Sequence, residues 1–152
     1  MKKNNRVLLG VIAVLLACTA LLAWVHQATR TQEVEGAVLV EQGKQSVTVA
    51  LSELDLAPVT GTVVNGKGEE KPIDGDGVPM ARVLEKAGFF VAEGQSLRVA
   101  SADEYAVSVS AEELAEPDRV YLLVEEEGAR LIVFGDADSK RNVKNVVRLT
   151  VE

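Results

Sequence analysis

The sequence has very little cysteine, histidine or aromatic content. Its 152 residues include one cysteine and one histidine, and aromatic residues make up 4%. The cysteine is Cys18 and the histidine is His26, so neither type occurs after residue 26. That part of the chain cannot supply a disulfide, a thiolate metal site, a cysteine nucleophile or a Ser-His-Asp triad. We therefore expect no catalytic set and no metal site, and a core built from aliphatic side chains.

Basic residues are outnumbered after the first six positions. Lys2, Lys3 and Arg6 precede all 23 acidic residues, and the other 13 basic residues leave the rest of the chain with a formal charge of −10. Such a surface repels phosphate backbones and anionic lipid headgroups. We therefore expect no nucleic-acid partner.

One long uncharged run lies near the N-terminus. Residues 7–25 contain no charged side chain, and as a helix they would span about 28 Å, close to the hydrocarbon thickness of a bilayer. The basic residues before the run favour a cytoplasmic N-terminus, and Trp24 suits the far interface. The sequence therefore predicts a cytoplasmic segment 1–6, a transmembrane anchor 7–25, a tether 26–35 and an extracytoplasmic domain 36–152 in the cell membrane of a bacterium.

Two other interpretations of this run stay open. It can be a cleaved signal peptide with a small-residue site near Ala17 to Ala20. It can also be a lipoprotein signal, with Leu15-Leu16-Ala17-Cys18 leading to acylation of Cys18. All three interpretations place the domain outside the cytoplasm.

Turn residues and hydrophobic alternation divide the domain into many short strands. Residues 65–77, rich in glycine and charge, are predicted to form a loop. The sequence predicts strands at residues 36–41, 46–51, 59–64, 97–101, 105–110, 119–124, 130–134 and 143–151.

A few short helices are predicted between these strands. The clearest covers residues 79–87, with Pro79 in its first turn and Gly88 at its end. A short one begins at Ser52, and the spacing of Ser110 and Glu113 indicates a capping box. The domain is therefore predicted to be α+β, rich in strands, with short helices.

Acidic turn residues give no convincing metal site. Asp74, Asp76 and Glu85 have a spacing faintly like a calcium loop, but Pro79 replaces the glycine that such a loop requires. Asp136 and Asp138 are expected to face water. Neither group changes the expectation that the domain lacks a metal site.

Basic residues cluster near the C-terminus, at Lys140, Arg141, Lys144 and Arg148. In an acidic domain such a cluster can receive an anion such as a phosphate. The alternative is that these side chains pair with nearby Asp136 and Asp138 and with residues 125–127.

Several segments, taken in order, resemble the molybdopterin-binding domain of the sulfite oxidase family. The resemblance covers about residues 45–152, and its motifs together are fairly specific. They are Leu54-Asp55-Leu56-Ala57-Pro58 with the strand after it, the segment from Gly77 to Gly88, the segment from Val99 to Val109, Tyr121-Leu122-Leu123-Val124, Arg130-Leu131-Ile132-Val133, and Asn142-Val143-Lys144-Asn145-Val146.

The resemblance implies a mixed, β-rich sandwich and a cofactor site. The family's cofactor-binding stretch corresponds here to Arg141-Asn142-Val143-Lys144-Asn145, so Arg141, Asn142 and Lys144 are the implied cofactor-binding residues and molybdopterin the implied cofactor. The family's metal-binding cysteine should fall at Val64-Asn65-Gly66-Lys67, where this chain has none, and the enclosing loops are short or missing. A thiolate is a soft ligand that an asparagine cannot replace. The resemblance thus implies the fold without the molybdenum chemistry.

The function expected from these features is a non-catalytic, membrane-anchored module that binds a ligand or a partner protein. Its partner would be an envelope redox or transport protein, and no cofactor is expected. One alternative is a molybdopterin-dependent oxidoreductase or cofactor carrier, in which Arg141 and Lys144 hold the pterin phosphate. Another is a purely structural envelope domain. Fold alone cannot choose among them.

Overall fold

The structure is a computed structural model. It describes the backbone of residues 2–29 and 36–152, and the side chains of residues 10–23 and 36–152. The chain separates into two compact units, Met1–Gln32 and Glu33–Glu152. Most of the predicted tether, residues 30–35, lies outside the described residues.

The first unit contains one helix, α1, over Lys2–Thr29. Among the residues whose side chains are described, no helix is both long and apolar enough to cross a membrane. The anchor predicted at residues 7–25 extends beyond those side chains at both ends. It therefore stays a prediction.

The second unit is strand-rich with short helices, so the predicted α+β class is confirmed. Its helices are α2 (Met80–Ala87) and α3 (Ala111–Ala115). Its strands are β1 (Ala37–Gln42), β2 (Gln45–Ala50), β3 (Ala57–Val64), β4 (Glu70–Pro79), β5 (Ser96–Ser101), β6 (Ala106–Ser110), β7 (Val120–Glu125), β8 (Gly128–Val133) and β9 (Val146–Val151).

The strands form one branched sheet in the order β2-β1-β9-β8-β7-β4-β3, with β5 and β6 added beside β9. All neighbouring strands are antiparallel except β1 and β9, which are parallel. Strand β9 joins two halves of the sheet, one formed by β1, β2, β5 and β6 and the other by β3, β4, β7 and β8. It forms several pairs with β1 and β5 but meets β8 at one position, Val146 with Ala129. The loop before β9 therefore lies where the two halves of the sheet meet.

Two apolar clusters stabilise this sheet. The larger includes Leu122 and Leu131 and extends to β1, β5, β9 and α2, whereas the smaller is formed by Val59, Ile73, Leu123 and Ile132. Successive strand residues point to opposite faces, and Leu122 and Leu123 fall in different clusters. The two clusters therefore lie on opposite faces of β7 and β8.

The segment 65–77 is not the predicted loop, because most of it is strand β4. Only residues 65–69 form the turn, in which the Asn65 side-chain oxygen accepts from the backbone N–H groups of Lys67 and Glu69 at 2.8 and 3.0 Å. Gly77 is required by close packing, since a Cβ there would lie 2.8 Å from the carbonyl oxygen of Leu122. Gly77, one of the glycines that suggested a loop, thus allows close packing within a strand.

Three boundaries also differ from the prediction. The helix expected at Ser52 is a single 3-10 turn, Leu51–Glu53, whose cap residue is Ala50 without a side-chain cap bond. Strand β9 begins at Val146 rather than Val143, because Asn145 adopts a left-handed φ of 53°. Pro79 ends β4 and precedes the first residue of α2 instead of lying within its first turn.

Candidate functional site

The predicted cofactor-binding residues lie in the loop between β8 and β9, residues 134–145. We call this segment the connecting loop. It contains Arg141, Asn142 and Lys144 and has no regular secondary structure. Backbone hydrogen bonds fix its ends, from Phe134 N–H to the Arg119 carbonyl at 2.8 Å and from Ala102 N–H to the Asn145 carbonyl at 3.0 Å.

All five N–H groups of the half-buried Arg141 guanidinium have partners within the protein. Its guanidinium makes a two-pronged contact with Asp136, with Nε at 2.8 Å, and another with Glu113, at 2.8 and 2.7 Å. A fifth contact reaches the Ser108 carbonyl at 3.4 Å. Bidentate hydrogen bonds between a guanidinium and a carboxylate are the strongest arrangement of arginine with an acid. Arg141 therefore connects the connecting loop to helix α3, with no donor left over for an anion.

Glu113 is the centre of this arrangement, which we call the Arg141 network. The predicted capping box is present: Ser110 and Glu113 exchange backbone-to-side-chain hydrogen bonds of 3.0 and 3.2 Å. Arg119 also reaches Glu113, at 3.1 Å. The hydrogen bond from Arg141 is the main reason that the pKa of Glu113 falls to about 2, and the two carboxylates raise the pKa of Arg141. Both groups remain charged at any physiological pH.

Asn142 is also committed to a structural contact. Its side-chain oxygen accepts a hydrogen bond from Arg130 Nε at 2.6 Å, and Arg130 pairs with Glu125 at 3.3 Å. Lys140 likewise pairs with Asp138 at 3.1 Å. The alternative expected from the sequence, pairing of the basic cluster with nearby acids, thus describes Arg141 and Lys140.

Lys144 differs from these neighbours. It is exposed, and within the described residues no ion pair or side-chain hydrogen bond involves it. It lines a cleft of about 330 Å³ together with Asn142, Asp103 and Tyr105. A hydrogen bond from Ser101 chiefly lowers the pKa of Asp103, so the cleft carries one charge of each sign. The structure therefore brings Asn142 and Lys144 together and directs Arg141 away from them.

The residues present do not fit a molybdenum–pterin group. Where the resemblance places the metal-binding cysteine, Asn65 uses its side chain to close the β3–β4 turn, donating to Glu69 at 2.9 Å as well as accepting from the backbone. Hard amide atoms held in this way supply no soft ligand. Arg141, the implied phosphate ligand, is already saturated. The residue at the implied metal position and the implied phosphate ligand are thus both used for folding.

Sequence reasoning missed Glu113 as the partner of Arg141. The two residues are 28 positions apart, and only the local capping-box spacing marked Glu113. It also missed the contact of Asp118 with Tyr121, whose hydroxyl donates to Asp118 Oδ1 at 2.6 Å. No sequence signal pointed to that pair.

No further chemistry-bearing cluster comes together in the part of the chain that the structure describes. Asp74 and Asp76 are exposed on strand β4, so the faint calcium-loop spacing corresponds to no loop. No group of three or more histidine, cysteine, aspartate or glutamate side chains suited to a metal ion is found among the described residues. In the comparisons with known proteins, no family model and no curated protein matches this chain.

Proposed function

We propose that this chain is a membrane-anchored extracytoplasmic module that binds a ligand or a partner protein and does not catalyse a reaction. The single observation that carries the proposal is the saturation of Arg141, which contacts Asp136, Glu113 and the Ser108 carbonyl. The arginine that the family resemblance assigns to a cofactor is instead used to hold a loop on a helix. A domain that uses one of its two implied phosphate ligands in this way is better suited to binding than to redox chemistry.

The fold is proposed to be a reduced version of the molybdopterin-binding domain of the sulfite oxidase family. The order of the matching segments supports this, together with an α+β, strand-rich architecture. The proposed anchor rests on the uncharged residues 7–25 with basic residues before them. The proposed partner is an envelope redox or transport protein, and the acidic surface disfavours nucleic acid.

A molybdopterin-dependent oxidoreductase or cofactor carrier is the second candidate. One observation favours it: a Cβ at Gly66 in the β3–β4 turn would lie 3.6 Å from Ser139 Oγ, so the implied metal position is beside the connecting loop. Lys144, exposed on that loop, keeps an ammonium group available. This candidate needs a thiol from another protein.

Elemental analysis for molybdenum separates the two candidates. The full chain is produced in a host that makes the cofactor and is purified in a neutral detergent. We expect no stoichiometric molybdenum and no pterin fluorescence. About one molybdenum per chain, lost in Arg141→Ala/Lys144→Ala but kept in the control Arg82→Ala/Lys86→Ala, would overturn the proposal.

The mass of the intact mature chain tests the anchor. An uncleaved anchor leaves the full sequence in the membrane fraction after carbonate washing. A lipoprotein would begin at an acylated Cys18, and a cleaved signal would leave a shorter, unmodified chain in the soluble fraction. Either shorter product would exclude the transmembrane anchor while keeping the domain outside.

A further inference from the structure

Strand β3 is an edge strand whose hairpin separates from the rest of the sheet. Within the described residues β3 pairs only with β4, and β4 pairs with β7 only over Gly77–Pro79. The remainder of the hairpin crosses the small apolar cluster, where Gly61 approaches the ring of Phe134 so closely that a Cβ there would lie 2.5 Å from it. The hairpin thus packs on the face of β7 and β8 that carries the small apolar cluster, and one side of β3 has no strand partner within the described residues.

A groove of about 500 Å³ lies beside β3. One wall is formed by five consecutive residues of β3, from Pro58 to Thr62, and the other by Asp118, Tyr121 and Phe134. Side chains of consecutive strand residues alternate between the two faces. From a lining of five residues in succession we infer that the groove borders the edge of the strand, where the backbone N–H and C=O groups of β3 have no strand partner within the described residues. Its length is about 17 Å at roughly 3.3 Å per residue.

The far wall combines aromatic rings with a carboxylate. Tyr121 and Phe134 pack edge to face, with ring centroids 5.8 Å apart. The Tyr121 hydroxyl donates to Asp118, which raises the pKa of the tyrosine and keeps it protonated. Asp118 is exposed, and no ion pair reaches it within the residues that the structure describes. A lysine or arginine side chain suits such a wall, because its stem can cover the rings while its charge meets the carboxylate.

We propose that this groove binds an extended segment of a partner protein, which adds a strand to β3 and places a lysine or arginine side chain against Asp118. The inference rests on the proposed binding function and names the class of partner. Strand addition obtains affinity from backbone hydrogen bonds and specificity from alternate side chains. Charge favours this occupant: residues after the apolar run carry a formal charge of −10, which attracts a cationic segment and repels a second copy of the same chain.

Peptide binding to the full chain in neutral detergent tests this inference. The probe is a peptide of roughly nine residues, alternating threonine and valine with one central lysine; the matched probe carries glutamate in place of lysine. We expect only the lysine peptide to bind. Asp118→Asn should weaken it about tenfold, whereas the exposed Asp55, outside the groove, serves as the control Asp55→Asn and should leave affinity unchanged.

Modified peptides test strand addition without changing the protein. N-methylation of alternate residues removes backbone donors on one edge of the peptide only. We expect one alternate set to abolish binding and the other to leave it intact. Equal loss from both sets, equal loss in Asp55→Asn and Asp118→Asn, or binding of neither peptide would overturn the inference.

Failure here can be told apart from failure of the proposed function. The proposed function fails if the protein carries molybdenum that depends on Arg141 and Lys144. The strand-addition inference fails if the chain is free of molybdenum and does not bind the lysine peptide. A dimer that forms through β3, detected by sedimentation and lost in Asp118→Lys, would also overturn it.

Discussion

The connecting loop and the β3–β4 hairpin are held to the domain by different forces. Arg141 holds the connecting loop in place through ion pairs with two carboxylates. The side chains of these acids are less than one-fifth exposed, at 18% for Glu113 and 15% for Asp136. The hairpin is fastened by apolar contact and by glycines that let backbone and rings approach closely, at Gly61 and Gly77. The loop should therefore respond to charge and pH, and the hairpin to side-chain volume.

The two regions also differ in whether their charged and polar groups already have partners within the protein. The Arg141 network satisfies its charges internally, whereas the groove beside the hairpin presents an exposed carboxylate and an unpaired strand edge. A charged cluster in a sequence is thus a poor guide to binding until its partners are known. Changes of charge should therefore affect the connecting loop most, and changes of volume the hairpin.

Arg141→Ala should have the largest effect. It leaves Glu113 and Asp136 without their shared cation in a partly buried site, and removing one partner of such a pair costs about 3 kcal/mol of unfolding free energy. Denaturant unfolding of the full chain in detergent measures it. The matched control is Arg82→Ala, whose pair with Glu85 has both side chains 69% exposed and should contribute less than about 0.5 kcal/mol. Equal losses in the two variants would contradict the network.

Acid should weaken the network next, though less than loss of Arg141. The pKa of Glu113 is lowered from 4.5 to about 2 in the folded protein, mainly by the hydrogen bond from Arg141. A depressed folded pKa means that its stabilisation is fully present above about pH 4.5 and is lost as pH falls toward about 2. Unfolding free energy measured across that interval should fall with decreasing pH, with a slope that Glu113→Gln reduces. An unchanged slope in this variant would assign the acid sensitivity to other carboxylates.

The sequence predicted features that depend on neighbours along the chain. The α+β class, helix α2 and the Ser110–Glu113 box all follow from short spacings. The Arg141–Glu113 pair joins residues 28 positions apart, and no short spacing can reveal it. The strand at residues 70–79 was missed for another reason: glycine marks a loop and a close backbone contact equally well, and only the position of Leu122 decides between them.

Gly77→Ala tests the hairpin side of the comparison. The new methyl group would lie 2.6 Å from Leu123 Cδ2 and 2.8 Å from the Leu122 carbonyl oxygen, and such overpacking costs about 2 kcal/mol because backbone must move. Gly75→Ala is the control, since its nearest contact is Leu123 Cδ1 at 3.9 Å. Gly75→Ala should be near neutral, apart from the strand's ordinary preference for alanine over glycine. Thermal unfolding distinguishes them, and equal destabilisation would mean that close approach does not explain Gly77.

Ser110→Ala should have the smallest effect of the four, about 1 kcal/mol, the usual cost of losing a helix cap. The Ser110 hydroxyl accepts a hydrogen bond from the Glu113 backbone N–H, and Arg141 donates to the carboxylate of the same residue, so both contacts position Glu113. The cap and the ion pair should therefore be coupled, and the cost of Ser110→Ala should shrink in an Arg141→Ala background. A double-mutant cycle on unfolding free energies measures this coupling. Strict additivity would show that the cap stabilises α3 independently of Arg141. The charge contacts of Arg141 would then stabilise the connecting loop but not α3.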